Sequence, residues 1–346
     1  MDTITHTLVG VLAIQTGLLK PLALSLPSRA RLLTVTCLAA AFPDIDYVGI
    51  LFDPLSFITD WHRGPTHSFL MLPVWALLLG WLFAAFGGQL QHRGLYTAIA
   101  AIALTSHILT DIITPWGTQI FWPLSDYRAV LATTFVIDPL FTGIVVMGLA
   151  SKVYCRSERF ARLGVAVMIL YLGLQGLLQH QAYQIAKTYS TQEGFREAKI
   201  TVLPQPFSPA HWKLIVNESD RYHIAYADLF SFDLMVDVNE RAGVLSRLVA
   251  AYRPLTQLVW QQETRYGDEP NIQALVRQAW AQEEFSRYRR FAQIPLLYGV
   301  SQEEERFCAW FADSRYMLPL IPPPFRYGMC RMAGGEWQVV RQVPDV

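Results

Sequence analysis

Residues 95–113 read LYTAIAAIALTSHILTDII. The stretch is apolar and close to the roughly 20 residues that cross a bilayer as a helix. It nevertheless carries His107 and Asp111 near its end. Ionisable groups at membrane depth are costly, and by default they mark a functional site. Four residues apart on a helix, the two side chains point the same way. That geometry lets one helix donate two metal ligands, or a ligand and the carboxylate that orients it. The plain alternative is a buried His–Asp hydrogen bond that only ties helices together, since buried polar groups find partners in any case.

Working outward, two more polar motifs sit among apolar residues. Asp44 and Asp46 follow Pro43 in Phe42-Pro43-Asp44-Ile45-Asp46, and His62 and His67 flank Gly64-Pro65 in His62-Arg63-Gly64-Pro65-Thr66-His67-Ser68. In a regular helix Asp44 and Asp46 diverge by about 200°. Pro43 loosens the backbone there, so both carboxylates can turn to one site if the helix ends or kinks. Two neighbouring carboxylates are expensive without a cation between them. An ordinary helix end with solvated Asp is the alternative. Gly64-Pro65 is a turn signal, Thr66 or Ser68 suits the cap of the following helix, and His67 then lies near that helix's positive end, where a neutral, metal-binding imidazole is favoured. A polar loop at the membrane surface would look similar. His and Asp are the ligand types that hold Zn, Mn or Fe. The combined reading is a metal site at the outer end of a membrane helix bundle.

Composition divides the chain. Of 346 residues, 52 % are apolar and only 16 % charged, with a mean hydropathy of +0.25. A soluble globule carries about 25 % charge. The deficit falls in 1–180, while 181–346 looks ordinary, so a membrane-embedded helical domain (1–180) is expected to precede a soluble α+β domain (181–346). Zero net charge gives no electrostatic case for nucleic-acid binding. No cleavable signal peptide is evident. The cysteines lack zinc-type spacing. Cys308 and Cys330 can pair if their domain lies in an oxidising compartment.

Six spans are expected, some of them broken or re-entrant: Ile4 to Leu19, Leu32 to Phe52, Ser68 to Phe86, Leu95 to Ile113, Thr133 to Ala150 and Leu163 to Leu178. Loops on one side hold Lys20, Arg29, Arg31, Arg93, Lys152, Arg156, Arg159 and Arg162, and the opposite loops hold Arg63 and Arg128. This bias puts the first set in the cytoplasm and the C-terminal half outside. His6, Asp44, Asp46, His62, His67, His107, Asp111 and Asp138 then share one depth. Asp138, before Pro139, reads as a helix cap or as a carboxylate behind the ligands. A lone His6 is more often structural than a ligand. Past Gln179, strands are expected at Lys199 to Leu203, Lys213 to Val216, Tyr222 to Phe232 and, interrupted by Pro322-Pro323-Pro324, over Asp313 to Val343, with a hairpin turn at Gly334-Gly335. Amphipathic helices are expected at Val244 to Gln262 and Asn271 to Phe291.

The ordered set His6-Thr7-Leu8-Val9-Gly10, Pro43-Asp44-Ile45-Asp46, His62 to Ser68, His107 to Asp111 with Thr114-Pro115-Trp116-Gly117, and Asp138-Pro139 resembles the YdjM-like family of predicted bacterial inner-membrane metal-dependent hydrolases. The likeness covers about residues 1–150 in motif detail. It implies a multi-pass inner-membrane protein, a divalent metal and hydrolysis. Zinc is the expected metal, with manganese the other choice, held by a subset of His6, Asp44, Asp46, His62, His67, His107 and Asp111. Seven candidates exceed the three or four protein ligands of one catalytic zinc. Asp46 or Asp111 is the expected general base, and Arg63 the group that stabilises an anionic oxygen. Arg128 is the weaker cation, an outer-loop Arg being usually a headgroup anchor. A site at the outer boundary suits a lipid headgroup or a lipid-linked precursor, and Trp61, Trp116 and Trp122 fit an interfacial aromatic belt. The C-terminal domain is expected to be extracytoplasmic and is a place for a protein partner. A metal or proton transporter would put ligands near the midplane and show repeat symmetry. A helix bundle stapled by structural metal would have a closed ligand set.

Overall fold

The computed structural model describes residues 1–19, 27–230, 243–303 and 306–342. The chain forms two compact units, Met1–Leu177 and Leu178–Val346. The first is helical: α1 (Thr3–Gln15), α2 (Arg29–Ala41), the single turn α3 (Pro54–Ser56), α4 (Leu72–Phe86), α5 (Arg93–Ile112), α6 (Pro139–Cys155) and the start of α7 (Glu158–Gln192).

Among the described residues, three helical stretches are long and apolar enough to cross a membrane: Arg29–Leu51, Leu90–Ile112 and Glu158–Gln192. The bent pair Pro54–His67 and Leu72–Phe86, at 69°, makes a fourth if it is one broken span. Thr3–Gln15 and Pro139–Cys155 are apolar but shorter. Length alone therefore supports three to four spans where six were expected, because α1 stops at Gln15, before the expected Leu19, and α6 starts only at Pro139, after the expected Thr133. At 13 and 17 residues they reach only about 20 and 25 Å, against a hydrocarbon core of about 30 Å.

Sequence explains where the elements begin. Asp2 caps α1 by accepting from Thr5 N at 2.9 Å. Asp138 caps α6, accepting from Leu140 N and Phe141 N ahead of a Pro at the first helical position. Tyr171 also donates to it at 2.7 Å. Of the two readings of Asp138, the cap is the one seen. The expected cap of α4 is not made: Ser68 Oγ donates to Trp122 O at 2.7 Å and the helix starts later, at Leu72.

The polar helix α5 is the axis of this unit. It buries Tyr96, Ile99, Ala100, Ala103, Leu104, His107, Ile108 and Asp111, a stripe at helical spacing. Its neighbours come close because small residues face it. A Cβ on Gly10 would stand 2.9 Å from Ala40 Cβ and 3.5 Å from Ser106 Oγ, and one on Gly80 would stand 2.6 Å from Thr97 N. Small residues at helix contacts are how membrane helices gain close packing.

The second unit is rich in β-sheet. A five-stranded sheet has the order β1 (Lys199–Pro204), β2 (His211–Glu218), β3 (Arg221–Asp228) and β4 (Arg253–Pro254), with β5 (Gln261–Thr264) also on β3. The end of α7 lays Leu178, Ala182 and Ala186 on Val202, Trp212, Leu214, Val216, Ala225 and Ala227. A four-stranded antiparallel meander follows: β6 (Pro295–Glu303), β7 (Arg306–Asp313), β8 (Arg326–Met332) and β9 (Trp337–Arg341). It turns at Gly334, whose φ of +73° suits glycine. Cys308 and Cys330 stand opposite each other on β7 and β8 and form a disulfide.

Two helix expectations are corrected here. Only α8 (Val244–Ala250) forms within 244–262. In the Pro-interrupted remainder Arg253–Pro254 and Gln261–Gln262 pair with β3 and Leu255–Gln257 makes a 3₁₀ turn, Pro254 and the sheet edge outweighing a weak helical period. The second helix divides at Gln282 into α9 (Pro270–Ala281) and α10 (Ser286–Phe291). Phe232 and Val343, ends of two expected strands, lie outside the described residues, as does Lys20.

Candidate metal centre

The backbone first separates the two aspartates. The α-helix α2 ends at Ala41 and continues as a 3₁₀ helix, Phe42–Leu51, from Pro43 onward. With three residues per turn, Asp44 and Asp46 point about 120° apart. Asp44 faces α5, with Oδ1 3.5 Å from His107 Nε2 and 3.8 Å from His67 Nε2, while Thr3 Oγ1 donates to its Oδ2. Asp46 faces the 62–63 turn instead. Its Oδ2 accepts from Arg63 N at 3.0 Å and stands 3.2 Å from His62 Nδ1 and 3.6 Å from His67 Nδ1.

The 62–67 turn splits its histidines in the same way. Arg63 takes a left-handed φ of +57°, and Pro65–His67 is a short 3₁₀ turn. His67 is driven inward and His62 is held among Tyr47, Phe57 and Trp116 at ring distances of 4.8, 5.0 and 5.0 Å.

Three atoms converge. His67 Nε2 and His107 Nε2 are 3.1 Å apart, and Asp111 Oδ2 is 3.2 Å from the first and 3.5 Å from the second. Donors bound tetrahedrally to one zinc at about 2.0–2.1 Å stand about 3.3–3.4 Å from one another. These three separations bracket that value. Asp44 Oδ1 flanks the group, farther out at 3.5 Å from His107 Nε2 and 3.8 Å from His67 Nε2. Asp111 Oδ2 is buried with no hydrogen-bond partner, an orphaned acceptor aimed at two imidazole nitrogens. The far nitrogen of His107, Nδ1, pairs with Ala40 O at 2.7 Å. Because a carbonyl only accepts, Nδ1 carries a proton, and in the neutral ring Nε2 then presents its lone pair inward. These residues fit a divalent ion.

His6 lies beside this group. Its ring stacks on His107 at 3.6 Å, its Nε2 is 3.1 Å from Asp111 Oδ1, and its Nδ1 pairs with Thr110 Oγ1 at 2.7 Å. It also shares a potential ligand set with Asp44 and His107. Arg63 is buried. One guanidinium nitrogen pairs with Asp111 Oδ1 at 2.8 Å, and the other donates to Thr114 Oγ1 at 2.7 Å and Asp111 O at 3.2 Å. Its charge is spent on holding Asp111 rather than displayed to solvent. Arg128 likewise donates to backbone, to His62 O at 3.1 Å and Thr59 O at 2.8 Å. Trp116 is buried against His62, Trp122 is half-buried and Trp61 is exposed.

Of the seven expected ligands, the structure gathers His67, His107, Asp111 and Asp44, sets His6 against them, and puts Asp46 and His62 in the layer behind. Thr110 and Thr114 are further members. Their signal in the sequence is position: 107, 110, 111 and 114 share one face of α5 and its continuation.

The family model for the YdjM inner membrane protein matches residues 1–182. The chain belongs to the YdjM inner membrane protein family. Membership and the apolar helices make it an integral protein of the inner membrane. A YdjM-family chain of this kind is also similar to the Bacillus subtilis (strain 168) protein described as "Uncharacterized protein YfhP", with 31 % identity over 142 residues, 40 % of this chain and 42 % of that one. The match thus spans about two fifths of the relative's length. No solved structure matches the chain.

Proposed function

We propose that this YdjM-family protein is a membrane-bound metal-dependent hydrolase. It works at the outer membrane–water boundary on a lipid headgroup or another ester or phosphoester. The observation that carries the reading is the convergence of His67 Nε2, His107 Nε2 and Asp111 Oδ2, flanked by Asp44 Oδ1, with Asp111 Oδ2 left without a hydrogen-bond donor.

These four atoms would hold the ion, zinc by donor type and spacing, with manganese the alternative. A divalent ion there supplies Lewis acidity and lowers the pKa of a bound water towards about 7. The chain's own residues do the rest. His107 is fixed in the metal-binding tautomer by Ala40 O. Arg63 and Thr114 hold Asp111 so that Oδ2 faces inward. Asp46, beside His67 Nδ1, orients that ring and is the nearest carboxylate outside the four to accept a proton. His6, stacked on His107 and paired with Asp111, keeps water from one flank.

In the proposed topology six helices pass through the membrane, α1 and α6 being the short ones, and the second unit is extracytoplasmic. The basic residues around Arg29, Arg93 and Arg156 support this, as does the Cys308–Cys330 disulfide, a bond that persists in oxidising compartments.

The test is the metal content of detergent-purified full chain by elemental mass spectrometry, for wild type, His67→Ala and His107→Ala, followed by assay against phosphoester and phospholipid substrates. One equivalent of zinc or manganese, lost in both variants, with hydrolysis lost in parallel, is expected. Wild type that stays metal-free after incubation with zinc and manganese ends the reading. Metal without hydrolysis of any ester leaves a stapled bundle instead.

A further inference from the structure

Residues 113–138, between α5 and α6, contain no helix. Their middle folds back on itself. Thr118 N donates to Ala129 O at 3.0 Å and Ala129 N to Thr118 O at 2.9 Å, an isolated antiparallel bridge. The tip beyond the bridge exposes large apolar side chains, Leu124 at 82 %, Tyr127 at 60 % and Phe121 at 46 %, beside exposed Ser125 and Asp126. Phe121 and Tyr127 stack on each other at 6.3 Å. Large apolar side chains clustered at a loop tip mark a contact with another apolar phase.

Connectivity says which phase. Both ends of the segment enter membrane-embedded helices, with Leu131 N bonded to Ile112 O at 2.7 Å and Asp138 capping α6. The hairpin is thus held at a bilayer face. Its base grips the 59–63 segment, which carries exposed Trp61 and packs His62 on Tyr47, at the end of the Arg29–Leu51 span. Tyr47, Val48, Leu51 and Phe52 there are exposed as well. Apolar surface therefore continues from a lipid-facing span towards the hairpin. Aromatic and aliphatic side chains at that level settle among the headgroups.

We infer that the 118–129 hairpin dips Phe121, Leu124 and Tyr127 into the bilayer surface, and that its base braces the metal centre against that surface. The brace has three hydrogen bonds on one segment. Gln119 N donates to Arg63 O at 2.9 Å, and Arg128 donates to His62 O and Thr59 O. Arg63 in turn holds Asp111 at 2.8 Å. Lipid occupies the apolar tip, and the centre is kept at headgroup depth. The inference rests on the membrane location and the connectivity, not on hydrolysis.

The test uses the full chain in nanodiscs of phosphatidylethanolamine and phosphatidylglycerol. The background is Cys37→Ser and Cys155→Ser, with a nitroxide at Leu124→Cys, at Tyr127→Cys as an independent second position, or at Glu336→Cys as a water-exposed control on the second unit. Power-saturation spectroscopy reads accessibility to oxygen and to a soluble nickel chelate. The expected result is a several-fold higher oxygen-to-nickel ratio at both hairpin positions than at 336. A ratio equal to the control overturns the inference, because the tip then stands in water. Shielding from both reagents also overturns it, because the tip is then covered by protein, either this chain's second unit or another copy. Metal content of the same samples is read separately, so the loss of one reading does not decide the other.

Discussion

His67 Nε2 and His107 Nε2 face each other at 3.1 Å inside the helical unit. The proton of His107 is committed to Ala40 O, so at most one hydrogen can lie between the two nitrogens. Asp111 Oδ2 meets both and has no donor of its own. A divalent cation shared by all three would give each of these atoms a partner at once.

Arg63 shares Asp111 Oδ1 with the Met1 amino group, at 2.8 and 2.5 Å. Arg63→Ala removes one of the groups on Asp111 Oδ1, leaving the Met1 amino group at 2.5 Å and His6 Nε2 at 3.1 Å, and loosens a ligand held from behind, a change worth about 10–100-fold in metal affinity. A lower melting temperature in detergent and weaker metal retention are expected. Arg63→Lys, which keeps the charge but loses the two-pronged hold, should fall between. Wild-type metal affinity in Arg63→Ala would mean that Asp111 is held by other groups.

Gly80 sits where α4 touches α5. A side chain there meets the backbone nitrogen of Thr97 at 2.6 Å, which cannot rotate away. Gly80→Val should cost about 1–3 kcal/mol or more by forcing the helices apart, read as a lower melting temperature and poorer yield from the membrane. Gly94→Val, in open space on the same helix pair, is the control.

Lys213 in β2 is buried and donates to Ser314 O at 2.7 Å and Met317 O at 3.2 Å. Burial pushes its ammonium down to about 7, against the partly offsetting pull of Asp313 and Glu263. The unfolded chain holds this proton up to about pH 10.5. Between pH 7 and 10.5 the unfolded state therefore binds more protons, and this group's contribution to stability rises with pH, then is lost as pH falls back towards 7. Lys213→Met should flatten that rise. The check is the difference in melting temperature between wild type and variant at pH 7 and pH 10. A pH-independent difference removes Lys213 as the cause.

The disulfide gives an independent check on the proposed orientation. Protein purified from membranes without reductant and then denatured should take up two maleimide–polyethylene glycol groups, on Cys37 and Cys155, and four after reduction. Four before reduction would put the second unit in a reducing compartment.

The sequence by itself determined the local features of this protein. A run such as 95–113 has no way to satisfy its backbone in lipid except as a helix, so its helical state and the shared direction of His107 and Asp111 were legible from spacing alone. The ordered motifs were enough to place the chain in its family, and the drop in hydropathy after about residue 180 marked the passage to a β-rich unit. Helices at 244–262 and 271–291 were misjudged because a short amphipathic period does not reveal a strand edge waiting to be filled. Span number stayed open for a similar reason: hydropathy does not show where caps such as Asp138 cut a helix short.

Only the tertiary structure decided which polar residues meet. The 3₁₀ geometry after Pro43 narrows the angle between Asp44 and Asp46 from about 160° to about 120°, and packing then puts them against different groups; the left-handed turn at Arg63 parts His67 from His62. The burial of Arg63 against Asp111 depends on packing between segments 48 residues apart. Such pairings come from helices brought close by small residues such as Gly10 and Gly80, and their geometry is a property of the packed bundle, not of any one segment.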